Sequence, residues 1–187
     1  LRGPELIAEL GRLLPADCVL SDAEAVRPYE CDGLSAYREL PLAVVIPTDV
    51  DQICDVMRYC EMHSLPVVAR GAGTSLSGGA RPHKDGIVLS LARFNQILAI
   101  DPTNRTACVQ PGVRNISISE AVEHLGLYYA PDPSSQITCS IGGNVAENAG
   151  GVHCLKYGLT VHNVLRLEVV LSDGQRVTLG GDTPDSP

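Results

Sequence analysis

Pro66-Val-Val-Ala-Arg-Gly-Ala-Gly-Thr-Ser-Leu-Ser-Gly-Gly-Ala80 is an apolar β-type run that empties into a loop containing four glycines. Such a loop is either a tight turn, because glycine and serine gather in turns, or an anion cradle, because glycine presents backbone N–H groups with no side chain in the way. A related run, Ser140-Ile-Gly-Gly-Asn-Val-Ala-Glu-Asn-Ala-Gly-Gly151, follows Pro131-Asp-Pro133. Two Gly-rich cradles point to one long, phosphorylated ligand. The dinucleotide fingerprint G-x-G-x-x-G is not met: Gly71 and Gly73 supply its first half, but Leu76 stands where the third glycine belongs. Val88 to Asn95 also lacks the acid expected about 20 residues further on.

Working outward, Ala43-Val-Val-Ile46 reads as a short buried strand stopped by Pro47, and Thr48 with Asp51 as a near capping box. Ile53, Val56, Met57 and Cys60 then form the inner stripe of a helix. With Val67 to Arg70 this is β-α-β in order, and the glycine loop leaves its second strand. Leu6, Ile7, Leu10, Leu13 and Leu14 share one face of a helix over 4–14, and residues 21–40 form a turn-rich lead-in. Gly86 to Leu91, Gln96 to Ile100 and Thr106 to Gln110 are strands, with a turn at Asp101 to Asn104. Ser117 with Glu120 opens a helix through Leu125, and a hairpin turns at Ser172-Asp-Gly174. The pattern predicts two α+β units, residues 1–100 and 101–187, with one cradle in each and the ligand across their junction. Gly180 to Pro187 reads as an exposed linker.

Of the 187 residues, 44% are hydrophobic and 19% charged, enough for a packed core, which one Phe and no Trp make aliphatic. Fourteen Lys and Arg against 22 Asp and Glu give a charge of −8, which disfavours nucleic acid. A phosphate must then be held by local N–H groups and by Arg70. Seven cysteines with no C-x-x-C pair read as free, mostly buried thiols of a reducing compartment. His63, His83, His124, His153 and His162 are scattered, and no metal spacing is evident. No signal peptide or membrane-spanning apolar run is present, so the expected location is cytoplasmic.

Taken together, Ala43 to Pro47, Arg70 to Gly79, Gln110-Pro-Gly112, Pro131-Asp-Pro133, Ile141-Gly-Gly-Asn144, Glu147 to Gly151 and Lys156-Tyr-Gly158 resemble the FAD-binding domain of the vanillyl-alcohol-oxidase-type (PCMH-type) flavoproteins. The wording is most similar to the FAD-linked subunit of glycolate oxidase and its D-lactate dehydrogenase relatives, over about residues 20–180. The resemblance implies an α+β fold of two subdomains with FAD between them. The backbone of Arg70, Gly71, Ala72, Gly73, Thr74 and Ser75 would hold the pyrophosphate, and Pro47 and Gly78 would be further cofactor-binding residues. Pro131, Asp132, Thr138, Gly142 and Gly143 would border the ribityl and isoalloxazine end, joined by Asn144, Asn148, Gly150, Gly151, Tyr157 and Gly158, with Val164 near the adenine. Asn144 and Asn148 are otherwise polar residues of a helix face, and Tyr157 an ordinary packing residue. Thr74 stands where covalently flavinylated relatives carry histidine, which implies non-covalent FAD.

The implied reaction is oxidation of a small 2-hydroxy acid, glycolate or D-lactate, to the 2-oxo acid. Its catalytic base and carboxylate clamp belong to a substrate domain absent from this chain, and the second subdomain itself looks incomplete. This chain alone is therefore expected to be inactive, the full-length parent being the dehydrogenase or oxidase. Implied partners are iron–sulfur and second flavin-type subunits of a glycolate oxidase complex, which would place the protein at the periphery of the inner membrane. The alternative reading is a non-catalytic FAD-binding or interaction module that needs partner subunits.

Overall fold

The computed structural model describes residues 3–181. Alternating apolar side chains in short β-branched runs build a four-stranded sheet from β1 (Val19–Leu20), β2 (Ala43–Val45), β3 (Val67–Arg70) and β4 (Ile87–Ser90), in the order β1-β2-β4-β3. β4 is parallel to both β2 and β3, with Val88 opposite Val44 and Val68, while β1 is an antiparallel edge. β2 and β4 are buried throughout, as the inner strands of a parallel sheet must be.

Side-chain alternation divides the packing between two faces. Val45, Ile87 and Leu89 meet Leu6 and Leu10 of α1 (Gly3–Leu13) and Val56 and Cys60 of α3 (Val50–Met62). Val44 and Val88 meet Val26 at the end of α2 (Ala23–Val26), so the turn-rich lead-in contains a short helix that covers the second face. The cap of α3 is Asp49 rather than Thr48: the Asp49 side chain accepts from the Gln52 N–H at 2.9 Å. A carboxylate reaches the N3 donor from the N-cap, whereas the Thr48 N–H itself donates back to Gln52 Oε1 at 2.8 Å.

The chain forms two compact units, and their limits differ from a cut at residue 100. Residue 100 lies inside β5 (Ile97–Asp101), which pairs antiparallel with β6 (Thr106–Val109), and a cut there would break the ladder. One unit is Phe94–Val164; the other is the chain up to Arg93 together with the chain from Leu165 on. The expected hairpin, β7 (Arg166–Val170) with β8 (Arg176–Gly180), therefore belongs to the first unit. Its turn backs onto α3, where Arg176 lies 3.7 Å from Asp51. The expected terminal linker lies largely outside the described residues.

In the second unit Val113, Ile118 and Ile141 form the core, with Ile97, Val109 and Tyr129 packed against it. Ile118 comes from α4 (Asn115–Val122), which starts two residues before Ser117 and has no side-chain cap. Its expected last turn tightens to a 3₁₀ turn over Glu123–Leu125 with Leu125 exposed, because the buried stripe ends at Val122. Two short helices follow, α5 (Ile141–Glu147) and α6 (Cys154–Tyr157).

All seven cysteines are free; Cys18, Cys54, Cys60 and Cys139 are buried and Cys108 is exposed. Burial pushes the Cys60 thiol up to about 12. An unfolded thiol ionises first as pH rises, near 9.0, so the stability attached to Cys60 is present below that value and is lost between it and about 12. Urea midpoints measured from pH 7 upward are expected to fall above pH 9 in the wild type and to fall less steeply in Cys60→Ala; parallel curves would refute the assignment.

Candidate functional site

β3 ends at Arg70, and its neighbour β4 runs parallel, so the chain must travel back along the sheet between them. It does so through residues 71–86, which begin beyond the carboxyl ends of the parallel strands, where open α/β sheets bind ligands. Pro47, fully buried after β2, lies at the same end of the sheet. No N–H from Gly71 to Leu76 has a hydrogen-bond partner among the described residues, while the Ser77 N–H donates to Ser75 Oγ at 3.0 Å. A run of unspent donors is what an anion cradle requires.

Arg70 keeps this loop in shape from below. Its Nη1 donates to the Cys31 carbonyl at 2.7 Å, and its guanidinium carbon sits 5.4 Å from the centre of the Tyr29 ring. Burial draws the guanidinium below its ordinary value, opposed by Tyr29, Cys31 and Asp32. A side-chain carbon at Gly73 would stand 2.2 Å from Arg70 Nη2, and Gly73 has a φ of +71°. The glycine is thus required both by its backbone and by the cation beneath it. The reading of Arg70 as a phosphate ligand needs this qualification: one arm of its fork is already engaged with backbone.

The second glycine run works differently. It is α5, and its first donors are taken: the Ile141 N–H by the Val113 carbonyl (2.8 Å), Gly142 by Pro111 (2.8 Å) and Asn144 by Ser140 (2.9 Å). Gly143 reaches the Ser140 hydroxyl at 3.4 Å. This run is not a second cradle of free N–H groups; its glycines permit close packing. A side-chain carbon at Gly142 would meet Pro111 at 2.7 Å, and one at Gly151 would meet the Asp132 carbonyl at 1.9 Å.

Asn144 and Asn148 are not two residues of one polar face. Asn144 is buried, its Oδ1 accepting from Asn115 Nδ2 at 2.9 Å and its Nδ2 donating to Cys139 Sγ at 3.2 Å. Asn148 ends α5 in a left-handed conformation, φ 50°, and its Oδ1 accepts from the Val161 N–H at 3.0 Å. Asp132 holds His153 by both its atoms, N to Oδ1 at 3.2 Å and Nδ1 to Oδ2 at 2.7 Å. Burial pushes the Asp132 carboxyl up, but those bonds outweigh it and hold the group below its ordinary range.

Tyr157 and Tyr128 meet edge to face, with ring centres 6.0 Å apart, and His153 lies beside both. Gly150 packs against Cys154 and Leu159, and Gly158 turns after α6 at φ +79°. Thr138 is exposed at a turn, its hydroxyl donating to the Ser135 carbonyl at 3.2 Å. Gly78 turns in the first loop at φ +77°, Pro131 is fully buried, and Val164 is the last residue of the second unit. Among the described residues no group of three His, Cys, Asp or Glu is arranged for a metal, and no helix is long and apolar enough to cross a membrane.

Sequence reasoning missed two buried polar residues. Asn115, 1% exposed, also donates to the Pro131 carbonyl at 2.9 Å and so ties the 131–133 segment to α5. Asp32, 6% exposed, accepts from the Leu34 N–H at 2.9 Å through Oδ1, but its buried Oδ2 has no partner. Leaving such an oxygen unpaired costs about 1–3 kcal/mol. Asn115 has no local sequence signal, because its partners are distant in the chain, whereas the one bond of Asp32 is a local turn within the lead-in.

A left-handed alanine at position 73 costs roughly 1–2 kcal/mol before its collision with Arg70 is counted. Gly73→Ala is therefore expected to weaken FAD retention about tenfold or more, measured by flavin fluorescence, with far-UV circular dichroism unchanged. Undiminished retention would remove the loop from the cofactor site.

Residues 41–180 match the model of a family described as the FAD binding domain. The chain is 62% identical over 169 residues to the glycolate oxidase subunit GlcD of Escherichia coli (strain K12), covering 90% of this chain and 34% of that protein. It is 38% identical over 178 residues to a D-lactate dehydrogenase of Archaeoglobus fulgidus, covering 95% of this chain and 39% of that one. The chain thus spans about a third of the length of the curated relatives it matches. Among solved structures, alkyldihydroxyacetonephosphate synthase matches 98% of this chain and 36% of its own with a TM-score of 0.83 at 20% identity, which shows the fold alone. 4-Ethylphenol oxidase from Gulosibacter chungangensis matches 98% of this chain and 36% of its own, with a TM-score of 0.78 at 26% identity. The fold is the α+β fold of PCMH-type FAD-binding proteins, and the chain belongs to the FAD binding domain family, its relatives being glycolate oxidase subunits and D-lactate dehydrogenases.

Proposed function

We propose that this chain is the FAD-holding part of a flavin-dependent 2-hydroxy-acid oxidoreductase acting on glycolate or D-lactate. The observation that carries the site is the run of unspent N–H groups from Gly71 to Leu76 beside a half-buried guanidinium. These fit a pyrophosphate: the donors supply local positive potential in a chain whose net charge is −8. The identity of 62% to a glycolate oxidase subunit supports the substrate class.

When bound, the flavin supplies the electron chemistry of the oxidation. The residues of this chain bind and orient it. Arg70, Gly71, Ala72, Gly73, Thr74 and Ser75, with Gly78 and Pro47, would hold the pyrophosphate side. Pro131, Asp132, Thr138, Gly142, Gly143, Asn144, Asn148, Gly150, Gly151, Tyr157, Gly158 and Val164 would form the remainder. The engagement of Asn144 and Asn148 with Asn115 and Val161 supports a backbone-shaping role for both. Thr74 in place of a histidine supports non-covalent attachment, and the relative's designation as a subunit supports partner chains, for which the family resemblance implies iron–sulfur and second flavin-type subunits.

The test is the visible spectrum of the purified protein after FAD is added and free flavin is removed. A shifted flavin spectrum that survives gel filtration and is released by denaturation is expected; flavin that stays on the denatured chain would refute the non-covalent assignment. Turnover of glycolate or D-lactate by the full-length protein then separates the oxidoreductase from a non-catalytic FAD module, which would hold flavin without reducing it.

A further inference from the structure

Asp32 lies outside the segment matched to the FAD binding domain family, which begins at residue 41. Its unpartnered Oδ2 nevertheless belongs to a residue lining a cleft of about 270 Å³, shared with Ser77, Gly78 and Arg81 at the far end of the glycine loop. The segment carrying Asp32 lies directly on that loop: a side-chain carbon at Gly33 would stand 2.8 Å from the Ser75 carbonyl and 2.9 Å from that of Thr74. Arg70 binds the same segment through the Cys31 carbonyl, so a cation stands next to Asp32 and offsets the repulsion between a carboxyl group and a nearby phosphate.

A buried carboxyl oxygen without a partner calls for a donor. In a dinucleotide held by its pyrophosphate, the closest donors are the hydroxyls of the flanking five-carbon chains. Dinucleotide sites commonly supply an acid for such hydroxyls about 20 residues after the glycine loop, and Val88 to Asn95 holds none. We propose that Asp32, upstream of the loop, is that acid: its Oδ2 accepts a hydrogen bond from a hydroxyl of the ribose or the ribitol chain next to the bound pyrophosphate. The assignment rests on FAD lying at Gly71 to Ser75.

The experiment uses the full chain stripped of flavin, with calorimetric titration of FAD, ADP, FMN and inorganic pyrophosphate into wild type and Asp32→Asn. Asparagine keeps one oxygen for the Leu34 N–H and replaces the other acceptor by a donor. FAD affinity is expected to fall about 10- to 100-fold, pyrophosphate affinity to stay the same, and the melting temperature of the flavin-free protein to hold or rise. A parallel loss for ADP assigns the bond to ribose, and one for FMN assigns it to ribitol; either supports the proposal. Unchanged FAD affinity, a loss shared by pyrophosphate, a loss that touches neither ADP nor FMN, or a melting temperature that falls with affinity overturns it. Wild type that holds neither FAD nor pyrophosphate would instead refute the phosphate-loop reading, and the Asp32 assignment with it.

Discussion

The Arg70 guanidinium fills the space beneath Gly73 and is tied to the Cys31 carbonyl, and the rest of the site depends on that placement. A glycine-rich loop has many conformations in which its N–H groups bond to its own carbonyls. A cation packed against its underside, itself held by backbone and by the Tyr29 ring, blocks that collapse. The donors remain free because the loop cannot spend them on itself. The sheet supplies the rigidity: Arg70 is the last residue of β3, in register with Ser90 of the fully buried β4.

The two glycine runs illustrate how one composition serves two physical ends. In the first, glycine keeps donors available. In α5 the donors are consumed by Val113, Pro111 and Ser140, and glycine lets main chains approach within a distance that no side chain would tolerate. Asn115 completes that second arrangement by bonding Pro131 and Asn144 at once, so three separate segments converge on one buried amide. A buried, hydrogen-bonded polar cluster of this kind favours a single packing.

Much of this was legible in the sequence where periodicity carries the signal. The helix at the start, the β2-α3-β3 succession and the hairpin around Gly174 follow from 3.6- and two-residue patterns and from turn chemistry. The open N–H groups of the glycine loop were legible because glycine composition alone leaves backbone donors uncovered. Thr48 and Asp49 show the limit: both are good cap residues, and only the backbone geometry chooses between them. Gly33 and Asn115 were illegible because what matters about each is a neighbour some 15 to 45 positions away. The compact units differ from a cut at residue 100 for the same reason, since nothing local in Arg166 to Gly180 announces a return to the first unit.

That return makes the second unit an insertion into the first. The contacts that complete the earlier unit, Gly174 against α3 and Arg176 against Asp51, come from residues made after the inserted unit. On a ribosome the chain emerges in order, so Phe94–Val164 has all of its own residues available while the unit begun before it still lacks a hairpin. Of the two units, the one begun earlier is therefore the one completed later. During synthesis, the outer side of α3 waits uncovered for an interval set by the translation of the inserted unit.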